Sequence, residues 1–107
     1  MVALRKQVVD EAVRRAAECV HPLRIVLFGS SARGTTDPDS DLDFLVVMPD
    51  GSNRLATAQR LYQAMRGLGV ATDFVVISQS DLDMLGDNPN LIYHTAITEG
   101  IELYHAA

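Results

Sequence analysis

Phe28-Gly29-Ser30 and, after ten intervening residues, Asp41-Leu42-Asp43-Phe44-Leu45-Val46-Val47 are the segments that decide how this sequence folds and where its chemistry lies. The first closes Leu23-Arg24-Ile25-Val26-Leu27-Phe28, a β-branched and apolar run that reads as a buried strand over 23–28. The second opens another strand over 42–48, closed by the turn Pro49-Asp50-Gly51. Between them, residues 29–41 are dominated by Gly, Ser, Thr, Asp and Pro, which marks an irregular connection.

Three features of these segments carry chemistry. Asp41 and Asp43 are two apart at the start of a strand, so their side chains point to the same face. Adjacent carboxylates repel, and a strand has no folding reason to place them so. A shared divalent cation removes the repulsion, and Mg²⁺ is typically held by one or two carboxylates with substrate phosphates and water. Gly29-Ser30 follows the buried strand; glycine lets the backbone approach an anion, the next N–H groups can point at phosphate oxygens, and Ser30 adds a hydroxyl. Asp73 lies in a third apolar run between Thr72 and Phe74, where an acid is costly unless it is paired or binds metal. With the two acid-bearing strands side by side in register, Asp41, Asp43 and Asp73 share one metal cluster. Such a site suits a metal-assisted displacement on a nucleoside triphosphate, in which two Mg²⁺ ions clamp the phosphates and Asp73 takes the proton of the attacking hydroxyl.

Other phosphate motifs fail. Gly29 and Gly34 have the glycine spacing of a P-loop, but Thr35 stands where that motif needs lysine. No Gly-x-Gly-x-x-Gly occurs, so a dinucleotide site is not supported.

Outward from this centre, residues 2–20 carry apolar positions at Val9, Val13, Ala16, Ala17 and Val20, a helical period ended by His21-Pro22. Residues 53–68 predict a second helix with Leu55, Ala58, Leu61, Tyr62, Met65 and Leu68 on its buried face, stopped by Gly67 and Gly69. Residues 70–78 predict a third strand. Ser80 with Asp83 reads as the cap of a short helix over 81–86, and a further helix runs from Asn90 to Glu99 before Gly100. Ile101 to Tyr104 is either a last strand or a docked tail. This order predicts an α/β (α+β) domain with a small mixed β-sheet packed with helices.

The 107 residues are the length of one domain, expected to span 1–107. Nine Lys+Arg against fourteen Asp+Glu leave a net charge of −5, the wrong balance for stable nucleic-acid binding. A single cysteine, Cys19, excludes a disulfide framework and a cysteine zinc site, and reads as a packed small hydrophobe. No apolar run approaches a membrane span and the N-terminus lacks the apolar core of a signal peptide, so a cytoplasmic protein is expected.

The Gly29-Ser30…Asp41-x-Asp43 pattern resembles the DNA polymerase β-like nucleotidyltransferases, over about residues 5–104. The longer form, Gly-Ser-Ser-Ala-Arg-Gly followed by Asp-Ser-Asp-Leu-Asp-Phe-Leu-Val, is similar to the minimal nucleotidyltransferase (MNT) domains. The resemblance implies that family's fold and a third acid on a later strand, which Asp73 would supply. It also implies ATP as nucleotide donor, since no residue here can be tied to adenine recognition. As partner it implies a HEPN-domain ribonuclease toxin, whose tyrosine the MNT protein adenylylates as antitoxin of a type VII-like toxin–antitoxin module. Two other readings stay open: an antitoxin that blocks its HEPN partner sterically, and a small-molecule nucleotidyltransferase of the aminoglycoside-modifying type. The last lacks an evident acceptor-binding domain.

Several residues carry two readings. Asp41 and Asp43 either hold metal or belong to a solvated acid-rich loop with Asp37 and Asp39, and Asp73 is either catalytic or an edge-strand acid that reaches water. Gly29 is either part of a phosphate cradle or a strand-ending turn, and Ser30 either a phosphate donor or a helix cap. Arg33 either steers the triphosphate or pairs with Asp37 or Asp39. Ser40 orients Asp41 through a local hydrogen bond. His21, His94 and His105 show no metal-ligand spacing. Tyr93, His94 and Ile97 belong either to a partner surface or, for Ile97, to the core, and Tyr62 is expected in the core.

Overall fold

Residues whose burial repeats at three and four positions wind into the first element. The computed structural model describes residues 3–29, 32 and 41–106, and begins with helix α1 (Ala3–Val20). Val9, Ala12, Ala16 and Val20 are buried along one stripe. Val13 and Ala17, expected in that stripe, flank it half-buried, and Ala12 takes the central place. The helix stops at His21-Pro22 as expected. His21 turns left-handed with φ 50°, while its N–H still donates to the Ala17 carbonyl at 3.1 Å. Pro22 cannot continue the helix.

The chain then enters β1 (Arg24–Phe28), and β2 (Leu42–Met48) returns beside it. The turn at Pro49-Asp50-Gly51 is closed by the Ser52 N–H on the Pro49 carbonyl at 3.3 Å. Helix α2 (Arg54–Ala64) follows, with Asn53 as N-cap accepting from the Ala56 N–H. It crosses over to β3 (Thr72–Ser78), which pairs parallel with β2, the connection that a parallel pair demands. Helices α3 (Gln79–Leu85) and α4 (Ile92–Glu99) lead to β4 (Ile101–His105), antiparallel to β1. The sheet order is β3-β2-β1-β4. The fold is therefore α+β, with four helices and a four-stranded mixed sheet among the described residues.

Both sheet faces are covered. Ile25, Leu27, Leu42, Phe44, Val46 and Val76 pack under α1 and α2. Val26, Phe28, Leu45, Val47 and Ile77 pack under α3 and α4 with Leu82 and Ala96. This double burial is why β1 and β2 read as unbroken apolar runs rather than alternating ones. Helices α1 and α2 also cap one another: Arg15 donates to the Ala64 and Arg66 carbonyls, and Arg60 to the Cys19 carbonyl. Cys19 is half-buried against the same core.

Four expectations are corrected. The second helix ends at Ala64, not 68, with Met65 as its C-cap and a turn carrying the chain to Gly67. Leu55 and Tyr62 are not core but 69% and 46% exposed, and Thr57 is buried instead, because the face meeting the sheet is rotated from the apolar stripe. The third strand starts at Thr72, after the left-handed Gly69. The cap of α3 is Ser78, not Ser80: Ser78 has the extended backbone that a cap requires and its side chain accepts from the Asp81 N–H. Ser80 already lies in the first turn, its N–H taken by Asp50 Oδ1 at 3.0 Å. The tail resolves as a strand, β4, rather than a docked coil. No helix among the described residues is long and apolar enough to cross a membrane.

A left-handed backbone at a helix C-terminus favours glycine. His21→Gly should therefore stabilise the protein by about 1 kcal/mol, read as a higher midpoint in urea with unchanged slope.

Candidate active site

The strand ends set the site. Phe28, the last residue of β1, pairs with Asp43, and Asp43 pairs across the parallel ladder with Asp73. Gly29 thus leaves the sheet at the end where β2 and β3 begin. Residues alternate in facing, so Asp43 continues the row of Leu45 and Val47, and Asp73 the row of Val75 and Ile77. At this end the row of apolar side chains gives way to carboxylates. The Leu42 N–H donates to the Ala71 carbonyl at 3.0 Å, joining the start of β2 to the approach of β3.

Gly29 is required by two independent facts. Its φ is +76°, and a Cβ placed there would stand 2.6 Å from Asp43 Oδ2. The half-buried Asp43 carboxylate therefore lies directly against the Gly29 backbone. Burial pushes the Asp43 carboxyl above its ordinary range, and the negative charges of Asp73 and Asp41 push it further. Asp41 is exposed just before β2.

Asp73 is also exposed, on an edge strand. Of its two readings, the edge-strand acid that reaches water is the one found, and what singles Asp73 out is its place opposite Asp43. Among the described residues no three His, Cys, Asp or Glu side chains form a ready metal-holding group, so the three acids are electrostatically coupled without a preformed three-donor cage. Their chemistry still fits Mg²⁺: all are hard oxygen donors, and a divalent cation would relieve the charge crowding on Asp43. Ser30, Arg33, Asp37, Asp39 and Ser40 lie outside the described residues. Of the remaining candidates, Tyr93 and Ile97 are half-buried against the second core. Sequence periodicity misses the place of Tyr62, whose hydroxyl accepts from the Phe74 N–H at 3.2 Å, next to Asp73. The available signal was the polar tip of a tyrosine, which seeks a partner even when the ring packs.

The mixed sheet thus sets Asp43 and Asp73 in register beside the Gly29 turn. Residues 6–94 match the nucleotidyltransferase domain family, and the chain belongs to it. Within that class it is similar to a solved protein described as a candidate minimal nucleotidyltransferase, at 33% identity over 92% of this chain and 88% of the other, with a TM-score of 0.56. The fold also resembles a toxin–antitoxin structure with AMP-PNP, at 24% identity over 91% and 73% of the chains and a TM-score of 0.62. A third neighbour is the tri-AMPylated Shewanella oneidensis HEPN toxin in complex with MNT antitoxin, at 22% identity over 99% and 74%, with a TM-score of 0.51. No curated protein sequence matches the chain.

Gly29→Ala should push the Asp43 carboxylate aside and strain the backbone, lowering stability by about 2 kcal/mol or more in chemical unfolding. The raised Asp43 carboxyl holds its proton more tightly folded than unfolded. Its protonation favours the fold, an advantage complete below the ordinary carboxylate range and lost as pH rises through the raised value. At neutral pH the Asp43 anion is thus a local liability. Asp43→Asn should raise the Tm of the metal-free protein at pH 7, and the gain over wild type should shrink as pH falls through the carboxylate range.

Proposed function

We propose that this nucleotidyltransferase domain moves AMP from ATP to a tyrosine hydroxyl of a HEPN-domain ribonuclease toxin, and so acts as the antitoxin of a type VII-like toxin–antitoxin module. The observation that carries the reading is the in-register pair Asp43 and Asp73 beside Gly29, with Asp41 contributing a third charge. Family membership supports nucleotidyl transfer. The choice of ATP and of a HEPN acceptor is supported by what the neighbouring structures contain, AMP-PNP in one and an AMPylated HEPN toxin in another.

Asp41 and Asp43 would hold Mg²⁺ with Asp73 completing the set. Bound there, the metal would neutralise the triphosphate and the leaving group. Asp73, exposed and solvated, is placed to take the proton of the acceptor hydroxyl. The acceptor oxygen then forms its bond to the α-phosphorus, the bond from that phosphorus to the bridging oxygen breaks, and pyrophosphate leaves. Gly29 admits the phosphates close to the backbone, and Ser30 and Arg33 are assigned to the same phosphates. A cytoplasmic setting, where ATP is abundant, suits this role.

A second reading, an antitoxin that blocks its HEPN partner sterically, makes the opposite prediction for the acids. Intact-mass measurement separates the two. The partner is sought in a neighbouring reading frame encoding a helical protein with an Arg-x₄-His motif, and is incubated with this protein, ATP and Mg²⁺. Wild type should add AMP to it. Asp41→Asn and Asp43→Asn should slow the addition by about 100-fold or more while the fold is retained. Undiminished labelling by both variants would refute catalysis by these acids. Full protection of cells by the doubly substituted protein would favour the steric reading.

A further inference from the structure

The Asp73 backbone is held in the β2–β3 ladder opposite Asp43, and the charges of the two acids are coupled. That backbone belongs to an edge strand: β2 pairs with one side of β3 and no strand covers the other. On the open side, two side chains of α2 occupy backbone groups. The Tyr62 hydroxyl accepts the Phe74 N–H at 3.2 Å, and Arg54 Nε donates to the Val76 carbonyl at 2.8 Å. The Phe74 amide directly follows Asp73. The Tyr62 ring meets Phe74 edge-on at 5.3 Å, and Phe74 stacks on Phe44 at 5.7 Å. Phe44 and Phe74 are register neighbours one step beyond Asp43 and Asp73. Aromatics on one face and acids on the other thus share the same short stretch of ladder. Burial does not explain Tyr62, which is 46% exposed.

We propose that Tyr62 is a positioning residue for Asp73: its hydroxyl holds the Phe74 amide so that Asp73 stays opposite Asp43. The inference rests on the reading of Asp73 as the proton acceptor in nucleotidyl transfer. Tyr62 acts through the strand and touches neither nucleotide nor acceptor.

The test uses the full chain with three substitutions. Tyr62→Phe removes the acceptor atom and keeps the ring. Arg54→Met releases the Val76 carbonyl, three residues beyond Asp73. Asp73→Asn removes the carboxylate itself. Two quantities are read: amide hydrogen exchange at Phe74, which needs no activity, and AMP transfer from ATP to the HEPN partner. Tyr62→Phe should speed Phe74 exchange about fivefold, the effect of one lost hydrogen bond. It should lower kcat about tenfold with KM for ATP unchanged, because a displaced base slows chemistry rather than binding. Arg54→Met should leave both Phe74 exchange and kcat near wild type. Unchanged exchange in Tyr62→Phe, or an equal fall in kcat in Arg54→Met, overturns the proposal in favour of general strand support. Asp73→Asn separates the two possible failures. If it stays active, the base assignment falls and the catalytic meaning of the Tyr62 bond falls with it. If it is inactive while Tyr62→Phe is fully active, only the positioning role is overturned.

Discussion

The parallel pairing of β2 with β3 holds Asp43 beside Asp73, and the candidate site exists only in that register. A one-residue slip would set Asp43 beside Thr72 or Phe74 and put the two acids on opposite faces. Burial on both sides of the sheet forbids the slip. Phe44 stacks on Phe74, and Val46 lies beside Val76 under α1 and α2. Leu45 and Val47 lie beside Val75 and Ile77 under α3 and α4. The apolar ladder thus carries two charged groups to its open end as a consequence of its own packing.

That placement has an electrostatic consequence. Asp43 is half-buried, pressed against the Gly29 backbone and close to two other acids, and each factor opposes its ionised form. Apolar packing elsewhere offsets this local strain. The surface of α1 shows the opposite arrangement. There Glu11 lies between Arg14 and Arg15, which hold its carboxyl down at about 2. Its contribution to stability is present above the ordinary carboxylate range and lost only as pH falls through that low value. Two acids of one small chain are therefore driven in opposite directions, one by cationic neighbours and one by burial and other acids. Only the second has its charge opposed by its surroundings.

Much of the fold was legible because its signals are local. The strand over 42–48, the stop at His21-Pro22 and the tight turn at Gly51 follow from residue type and period alone. Legibility failed where a tertiary contact outweighed a local preference. Tyr62 falls on the apolar stripe of α2, yet the helix is rotated so that its hydroxyl reaches the edge of β3. Ser80 has the residue type of a cap, but Ser78 has the backbone geometry, and Asp50, in the turn after β2, claims the Ser80 amide. Asp73 has two readings in the sequence, a costly acid among apolar neighbours or an edge-strand acid in water, and only the sheet order decides: β3 is an edge strand and leaves it in water.

By itself, the chain of amino acids determined the elements, the glycine turn after β1 and the presence of two acids on one strand face, because backbone sterics, side-chain alternation and apolar period act over a few residues. It did not determine which strands are neighbours or in what register. Those were decided by the tertiary structure, since pairing depends on how two apolar faces are buried at once by helices distant in sequence. The meeting of Asp43 with Asp73, and the hold of Tyr62 on the open edge of β3, exist only after that burial is complete.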